Sequence, residues 1–299
     1  ENYLVKIGSG SFPKESLRVS GGDELSEMAD VVNQMKTSLE EKERRRNELE
    51  VARTIQAEML PDAAAAKTLP QSVRVTGFMR PAREVGGDLF DFFLIDPDHL
   101  GIVIADVSDK GAPAALFMAT AKMCLKDNMM LGAEPDEVLE RVNNRLLENN
   151  KSGLFVTAWI GVIGLSDGKL TYAMAGHPFP MILRAEKQEY ELLKSDKNLV
   201  LAGFPDFSYR KAETVLQPGD RIFLYTDGLD EARELGGGFF GRERIFQYLN
   251  GHRSDSISDT VSGITAAVEE FASGREQYDD LTMLMVEYYG PGDIKANKL

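Results

Sequence analysis

The chain has 299 residues, 43% hydrophobic and 27% charged, a balance that excludes wholesale disorder and leaves ample length for a buried core. Its net charge of −14 argues against nucleic acid as a partner, because so acidic a surface repels the phosphate backbone. The single cysteine suits a reducing compartment, and we find neither a signal peptide nor an apolar run of about 18 residues, so we expect a cytoplasmic protein.

The N-terminal part contains a connector followed by one long helix. Residues 1–22 are rich in Gly and Ser and predict an extended connector. Residues 23–60 predict a helix that begins at Asp23 and stops before Pro61. Apolar residues at 3-4 spacing form a coiled-coil seam, which breaks near residues 42–46 and resumes in a shifted phase. Its members are Leu25, Met28, Val32, Met35 and Leu39, then Leu49, Ala52, Ile55 or Gln56, and Met59. We therefore expect a homodimer through this helix.

From Val73 onward the pattern changes to short strands mixed with helices, after a linker at residues 62–72. Many of the strands follow one another directly, which predicts largely antiparallel sheets. The helices come in pairs, which is consistent with packing on the outer faces, so the expected fold class is α+β. Helices are predicted at 112–128, 135–149, near 242–250 and at 257–273.

Four acidic clusters share one setting, the end of an apolar strand beside Gly or another small residue. Carboxylates brought together from several strands would repel one another unless cations lay between them, and all-oxygen ligands favour Mg²⁺ or Mn²⁺. Three His and one Cys without ligand spacing give little support for zinc. The alternative is that these residues only form turns or caps, which four recurrences disfavour. The clusters are VGGDLFD (Asp88, Asp91), IVIADVSDKG (Asp106, Asp109), IFLYTDGLDEA (Asp227, Asp230, Glu231) and YDDLTMLMV (Asp279, Asp280).

These motifs resemble a known family. GGDLFD, ADVSDKG, AGHPFP, TDGLDEA and DDLT occur in the order seen in the SpoIIE-like branch of PPM-type serine/threonine phosphatases, and ELEVARTIQAEMLP is similar to the stretch before that domain. The resemblance covers residues 48–289. It implies a β-sandwich of two antiparallel sheets flanked by helix pairs, with two Mn²⁺ or Mg²⁺ ions. It also implies hydrolysis of phosphoserine or phosphothreonine in bacterial signalling, with a STAS-type anti-sigma-factor antagonist as the phosphoprotein substrate.

The resemblance also implies roles for single residues. Asp106 would bridge the two metals and the carbonyl of Val107 would add a ligand. Asp88 would contribute directly or through a bound water, and Asp227 and Asp279 would complete the site. Asp280, the neighbour of Asp279, is kept as a second choice of metal ligand. The expected catalytic residues are Asp88, Asp106, Asp227 and Asp279, and the expected metal ligands are Asp88, Asp106, Val107, Asp227, Asp279 and Asp280.

Two residues leave more than one interpretation open. Asp109 stands where the family more often has Gly; it would either bind a third cation or face solvent, and we expect solvent. His177, in AGHPFP, would either position phosphate and protonate the leaving oxygen, or hold the turn at residues 176–178 by a hydrogen bond. We favour the second role for His177.

The first residues carry a resemblance of their own. IGSG followed by LRVSGGDELSEMADVVNQM resembles the connector and second helix of a HAMP relay module. Because such modules usually follow a membrane span and the chain begins with Glu1, we expect part of a longer protein anchored in the inner membrane. The expected domains are a partial HAMP-like segment (1–36), a helical coiled-coil linker (37–61), a linker (62–72), the phosphatase domain (73–290) and a C-terminal tail (291–299).

Two other functions compete with this interpretation. A pseudophosphatase would keep the fold as a binding module with little turnover, but a decayed site usually loses carboxylates, and this set is intact. A different metal-dependent phosphohydrolase would act on nucleotides or small phosphates. The sequence shows no Gly-rich P-loop with Lys, which weakens the nucleotide version.

Overall fold

A computed structural model describes residues 2–8, 10–18, 23–148 and 150–291 and divides the chain into two compact units, residues 1–55 and 56–299. The first unit contains helix α1 (Asn2–Gly8) and most of helix α2 (Asp23–Met59). The expectation of an extended connector is therefore wrong for residues 2–8, and residues 19–22 lie outside the described residues. The part of the connector at Leu17 is held by Asn33 of α2, whose side-chain amide exchanges hydrogen bonds of 2.8 and 3.0 Å with the Leu17 backbone.

Helix α2 confirms the long predicted helix and presents apolar side chains to solvent. Several of them are more than two-fifths exposed, although they recur at helical spacing. A stripe of this kind gains stability only when another surface covers it. The exposed apolar side chains of this stripe are Leu25, Met28, Val31, Met35 and Leu39.

The second unit is a sandwich of two five-stranded sheets, and every pair of strands within them is antiparallel, as expected. The strands are β1 (Val73–Arg80), β2 (Leu89–Asp96), β3 (His99–Val107), β4 (Val156–Gly164), β5 (Lys169–Ala175), β6 (Met181–Arg184), β7 (Glu189–Leu192), β8 (Lys211–Val215), β9 (Arg221–Tyr225) and β10 (Leu281–Tyr288). The first sheet has the order β1-β10-β9-β6-β7 and the second has the order β2-β3-β4-β5-β8.

Helix pairs cover the outer faces of both sheets. Helices α4 (Ala112–Met130) and α5 (Pro135–Leu147) pack on the second sheet, and α7 (Gly241–Gly251) and α8 (Ile257–Ala272) pack on the first. The space between the sheets holds a third apolar cluster, in which Trp159 is fully buried and stacks on Tyr172 at 5.6 Å between ring centres. The unit also contains the short helices α3 (Ala63–Lys67) and α6 (Asp227–Asp230).

Two short helices lie where the sequence predicts none. Helix α3 interrupts the expected linker, and Asp62 caps it by accepting hydrogen bonds from the backbone N–H groups of Ala64 and Ala65. Helix α6 is a single turn directly after β9. Among the described residues, we find no helix with a stretch both long and apolar enough to cross a membrane.

A buried ion pair joins helix α4 to strand β2. The Lys122 ammonium group donates a hydrogen bond to Asp91, and both residues are less than one-tenth exposed. Lys126, one turn along, approaches the same carboxylate at 3.5 Å and is partly in solvent. Burial lowers the pKa of Lys122, and the charge of Asp91 opposes that change. The pair therefore fixes the first helix after β3 against the strand that follows Asp88.

Candidate metal centre

The four aspartates predicted to be catalytic come from both sheets and meet at one edge of the sandwich. Asp88 immediately precedes β2 and Asp106 lies near the end of β3, in the second sheet. Asp227 follows β9 and Asp279 precedes β10, in the first sheet. The Thr226 hydroxyl donates a 2.8 Å hydrogen bond to Asp88 and so connects the two sheets at this edge. Antiparallel pairing brings the end of one strand beside the start of its neighbour, so each sheet contributes two carboxylates.

Burial and mutual repulsion raise the pKa of three of these carboxyl groups, those of Asp88, Asp106 and Asp227. Burial, and then the negative charges of Asp227, Asp279 and Asp280, raise the pKa of Asp106 to about 8, although a hydrogen bond with Asp88 opposes the change. Burial and the charges of Asp106 and Asp280 raise the pKa of Asp88 well above its ordinary value. Burial, followed by the charge of Asp279, raises the pKa of Asp227 to about 6. The cluster therefore holds more negative charge than its surroundings neutralise.

Asp279 and Asp280 are adjacent, but their surroundings differ. Asp280 is 5% exposed, and its carboxylate accepts hydrogen bonds from the N–H groups of Ala82 and Gly87, each at 2.7 Å, and more weakly from Asp88 at 3.4 Å. The Asp279 side chain is 30% exposed and pairs with Lys110 at 2.8 Å. Asp280 thus holds the loop that carries Asp88, while Asp279 keeps one side open to solvent.

Close backbone approach explains the glycine in the TDG motif. A Cβ atom on Gly228 would lie 1.8 Å from the carbonyl oxygen of Asp280 and 3.3 Å from the Cβ of Asp279. Any side chain at this position would push the two segments of the first sheet apart. The glycine therefore allows Asp227 and Asp279 to share one site.

Gln56, in the last turns of α2, contacts the loop that bears Asp88. Its side-chain amide donates a 2.7 Å hydrogen bond to the Gly86 carbonyl and accepts a 3.0 Å hydrogen bond from the Gly86 N–H, and the side chain is buried. The sequence placed Gln56 beside Ile55 as an alternative seam residue, but Ile55 is 55% exposed. Sequence analysis missed this contact, and the only signal for it was the ELEVARTIQAEMLP resemblance.

Two cations near the aspartates were also missed. Lys110, in the DVSDKG loop, pairs with Asp279, and the Nη1 atom of Arg83 lies 3.8 Å from where a Cβ on Gly111 would stand. In the part of the chain that the structure describes, Arg83 forms no ion pair. Lys110 lies inside a motif that sequence analysis examined only for carboxylates, and Arg83 lies just before another such motif, VGGDLFD.

The structure shows the contacts of Asp109 and His177, the two residues for which the sequence left more than one role open. Asp109 is exposed and has a φ of +73°, a conformation that favours glycine, and its carboxylate accepts a 2.8 Å hydrogen bond from the Lys110 N–H. His177 is buried, its Nδ1 lies 2.9 Å from the Thr157 hydroxyl, and burial lowers its pKa to about 3. A neutral imidazole held by Thr157 is consistent with a role in holding the turn.

The donor set fits hard divalent cations in its chemistry. It consists of carboxylate and carbonyl oxygens, and the raised pKa values show that positive charge would be favourable here. Within the described residues, no group of three or more His, Cys, Asp or Glu side chains already stands ready to hold a metal ion. Cation binding would therefore require Lys110 to move away from Asp279. It would also require the hydrogen-bonded carboxyl groups of Asp88 and Asp106 to lose the proton that lies between them.

Sequence comparison relates the chain to known phosphatases. Residues 96–289 match the family described as Stage II sporulation protein E (SpoIIE), a range that contains Asp106, Asp227 and Asp279 and begins after Asp88. The chain is 30% identical over 286 residues to Protein IcfG of Synechocystis sp., covering 85% of this chain and 44% of that protein. It is 27% identical over 241 residues to phosphoserine phosphatase RsbU of Bacillus subtilis, covering 81% of this chain and 70% of that protein. The chain thus spans less than half of the first of these relatives.

Solved structures share the fold. The PP2C domain of SiaA from Pseudomonas aeruginosa has a TM-score of 0.72 at 24% identity, covering 83% of this chain and 99% of that chain. The PP2C phosphatase domain of SpoIIE from Bacillus subtilis has a TM-score of 0.61 at 18% identity, covering 74% of this chain and 65% of that chain. The two-sheet sandwich with its helices is therefore a PP2C-type fold.

Proposed function

Because this chain belongs to the Stage II sporulation protein E (SpoIIE) family of PP2C-type phosphatases, we propose that it hydrolyses phosphoserine or phosphothreonine in a protein with the help of two divalent cations. One observation carries the proposal. Four strand-end aspartates from two sheets meet at one edge, and at three of them, Asp88, Asp106 and Asp227, burial and like charge raise the pKa. Such a concentration of charge lowers the stability of the fold, and a role in binding explains why it is present.

In this proposal the carboxylates of Asp88, Asp106, Asp227 and Asp279 and the carbonyl of Val107 would hold Mn²⁺ or Mg²⁺. Once bound, two cations would lower the pKa of an attacking water and neutralise charge on the phosphoryl oxygens. We assign Asp279 rather than Asp280 as the ligand, because backbone N–H groups already occupy both oxygens of Asp280.

Other residues of the chain orient the site and bind the substrate. Thr226 fixes the carboxylate of Asp88, and Asp280 fixes the backbone before it. Lys110 and Arg83 supply positive charge for the phosphoryl oxygens of the substrate. His177 stays neutral at physiological pH, because burial lowers its pKa to about 3, so it does not protonate the leaving oxygen.

The test is hydrolysis of p-nitrophenyl phosphate with and without Mn²⁺, together with calorimetric titration of Mn²⁺. We expect turnover only with the cation, and two ions bound. Protons compete with the cation below the pKa values of about 8 for Asp106 and about 6 for Asp227, so the Mn²⁺ concentration for half-maximal rate should fall as the pH rises through this range. If the protein does not bind Mn²⁺ in the calorimeter, it is instead a pseudophosphatase, a binding module with the same fold.

For the substrate, we propose a phosphorylated STAS-type anti-sigma-factor antagonist, as the motif resemblance implies. Two relatives support a phosphoprotein in signalling, because they are named phosphoserine phosphatases RsbU and RsbP of Bacillus subtilis. A phosphorylated protein should then have a higher kcat/KM than p-nitrophenyl phosphate. The reverse order would favour a phosphohydrolase of small phosphates.

We also propose that the domain works in the cytoplasm as part of a protein anchored in the inner membrane. We further propose that the chain is a homodimer through α2 and that this helix passes a packing change to the phosphatase domain. The exposed stripe of α2 supports the dimer. Met35→Glu places a charge in that stripe and should shift the mass in sedimentation equilibrium from dimer to monomer. Thr37→Glu, on the same helix but outside the stripe, is the matched control. A monomeric wild-type protein would contradict the dimer.

A further inference from the structure

An exposed group of side chains adjoins the candidate metal centre and takes no part in it. Leu235, Phe239 and Tyr278 are 74%, 48% and 64% exposed. The Arg233 guanidinium lies 4.7 Å from the centre of the Phe239 ring and 5.2 Å from that of Tyr278, so it contacts both rings. We call Arg233, Phe239 and Tyr278 the aromatic shelf. Exposed apolar groups that lie together on a protein surface are typical of binding sites.

The aromatic shelf is held in place by the backbone beneath it. Arg233 and Phe239 face each other across an antiparallel bridge. Arg244 donates a 2.9 Å hydrogen bond to the Phe239 carbonyl, and Arg275 donates another of 2.9 Å to the Glu234 carbonyl. The exposed Phe239 ring therefore belongs to an ordered turn, and two arginine side chains hold the backbone of that turn by hydrogen bonds.

A cavity of about 210 Å³ opens between the aromatic shelf and the metal centre. Its walls include the apolar residues Val268 and Leu281, and Arg233, Tyr278 and Asp279 also line it. The cavity is large enough for one apolar side chain, and it adjoins an aspartate that we assign to the cations. Whatever occupies it must lie beside the reacting phosphate.

Two cationic side chains, Arg233 and Lys110, lie at the aromatic shelf. Within the described residues Arg233 has no ion pair, and its Nε atom has no hydrogen-bond partner. Lys110 Nζ lies 4.0 Å from the centre of the Tyr278 ring and 2.8 Å from Asp279. Arg233 and Lys110 are therefore hydrogen-bond donors beside a cavity whose lining also includes Glu231, Glu269 and Glu276.

We propose that the aromatic shelf and its cavity bind the segment that flanks the phosphoserine of a protein substrate, with an apolar side chain of that segment in the cavity. The proposal rests on the phosphatase function above. Consecutive Cα atoms are about 3.8 Å apart, so residues next to a phosphoserine held at Asp279 lie within reach of Tyr278, its chain neighbour. The free donors of Arg233 then bind backbone carbonyls of the segment.

The test compares two phosphoserine peptides that differ only at the positions flanking the phosphoserine, which are Leu in one and Ala in the other. For wild type we expect a lower KM for the Leu peptide. Tyr278→Ala, which loses apolar burial, and Arg233→Ala, which loses hydrogen bonds, should each raise that KM about tenfold, the effect of about 1.4 kcal/mol, and leave kcat and p-nitrophenyl phosphate hydrolysis unchanged. Tyr289→Ala is the matched control, because Tyr289 is 40% exposed at the other end of β10 and also carries an arginine, Arg74, over its ring.

Binding is measured separately with fluorescein-labelled phosphonate analogues of both peptides, which resist hydrolysis, by fluorescence anisotropy. A preference of wild type for the Leu analogue that Tyr278→Ala removes supports the aromatic shelf even if no turnover is seen, in which case only the phosphatase proposal fails. Equal binding and equal KM of the two peptides overturn the aromatic shelf and leave the phosphatase proposal intact. A change in sedimentation mass in Tyr278→Ala would instead assign this surface to a second copy of the chain and would also overturn the proposal.

Discussion

Asp106→Asn and Asp227→Asn are each expected to lower the Mn²⁺-dependent turnover of p-nitrophenyl phosphate by about 1,000-fold, which corresponds to about 4 kcal/mol of lost transition-state stabilisation. Each substitution removes a negative charge from the site and so weakens the hold on the cations. Calorimetric titration should show fewer Mn²⁺ ions bound, or weaker binding, in both variants.

The same substitutions should not unfold the protein. Burial, and then like charges, raise the pKa of both carboxyl groups, so an uncharged amide at either position avoids the cost of a buried charge in the cation-free state. We therefore expect the Tm in EDTA to stay the same or to rise. Asp109→Asn is the matched control, since Asp109 is an exposed aspartate in the loop that follows Asp106 and β3, and its activity should match wild type. Full activity in Asp106→Asn would refute the assignment of this centre.

Asp91→Asn is expected to destabilise the protein by about 3 kcal/mol, because it leaves the buried Lys122 ammonium group without its counter-charge. For a domain of this size the loss corresponds to a Tm lower by about 6–12 °C, measured by circular dichroism.

Lys126, the second lysine beside Asp91, provides a comparison for the loss of stability. Lys126 is 42% exposed on its side chain and lies 3.5 Å from the same carboxylate, so Lys126→Gln should cost about 1 kcal/mol or less. The double variant Asp91→Leu with Lys122→Met should recover part of the stability, since it removes both charges together. An unchanged Tm in Asp91→Asn would show that Lys122 is uncharged when buried.

The strands and long helices could be predicted because their signals are local. Apolar runs predicted a domain of short, largely antiparallel strands from Val73 onward, and the spacing of apolar residues predicted α2, α4, α5, α7 and α8. Helices α3 and α6 were missed because a helix of one turn has little propensity signal and depends on tertiary contacts. The helix at residues 2–8 was not predicted because the Gly and Ser residues that follow it dominate the local composition.

The candidate site was predictable in its residue types and less so in its geometry. Asp106 and Asp279 lie on strands that are distant in sequence, yet their carboxylates lie at one edge of the sandwich. This depends on the order of the strands in the sheets, which the pattern of apolar residues does not encode. Adjacent residues at a strand end point to opposite sides, so the pair Asp279 and Asp280 could be separated only by the hydrogen bonds seen in the structure. The contact of Gln56 with Gly86 likewise needs the folded chain.

The origin of the four aspartates in two different sheets has a consequence for local unfolding. Apolar packing holds the sheets together along their length, whereas at this edge each sheet presents negative charge to the other. Separation of the strand ends there is therefore an opening reaction of its own, with a lower cost than global unfolding. A cation that binds carboxylates of both sheets favours the closed form of that reaction, by mass action. Closure of this edge and the binding of such a cation would thus be linked equilibria.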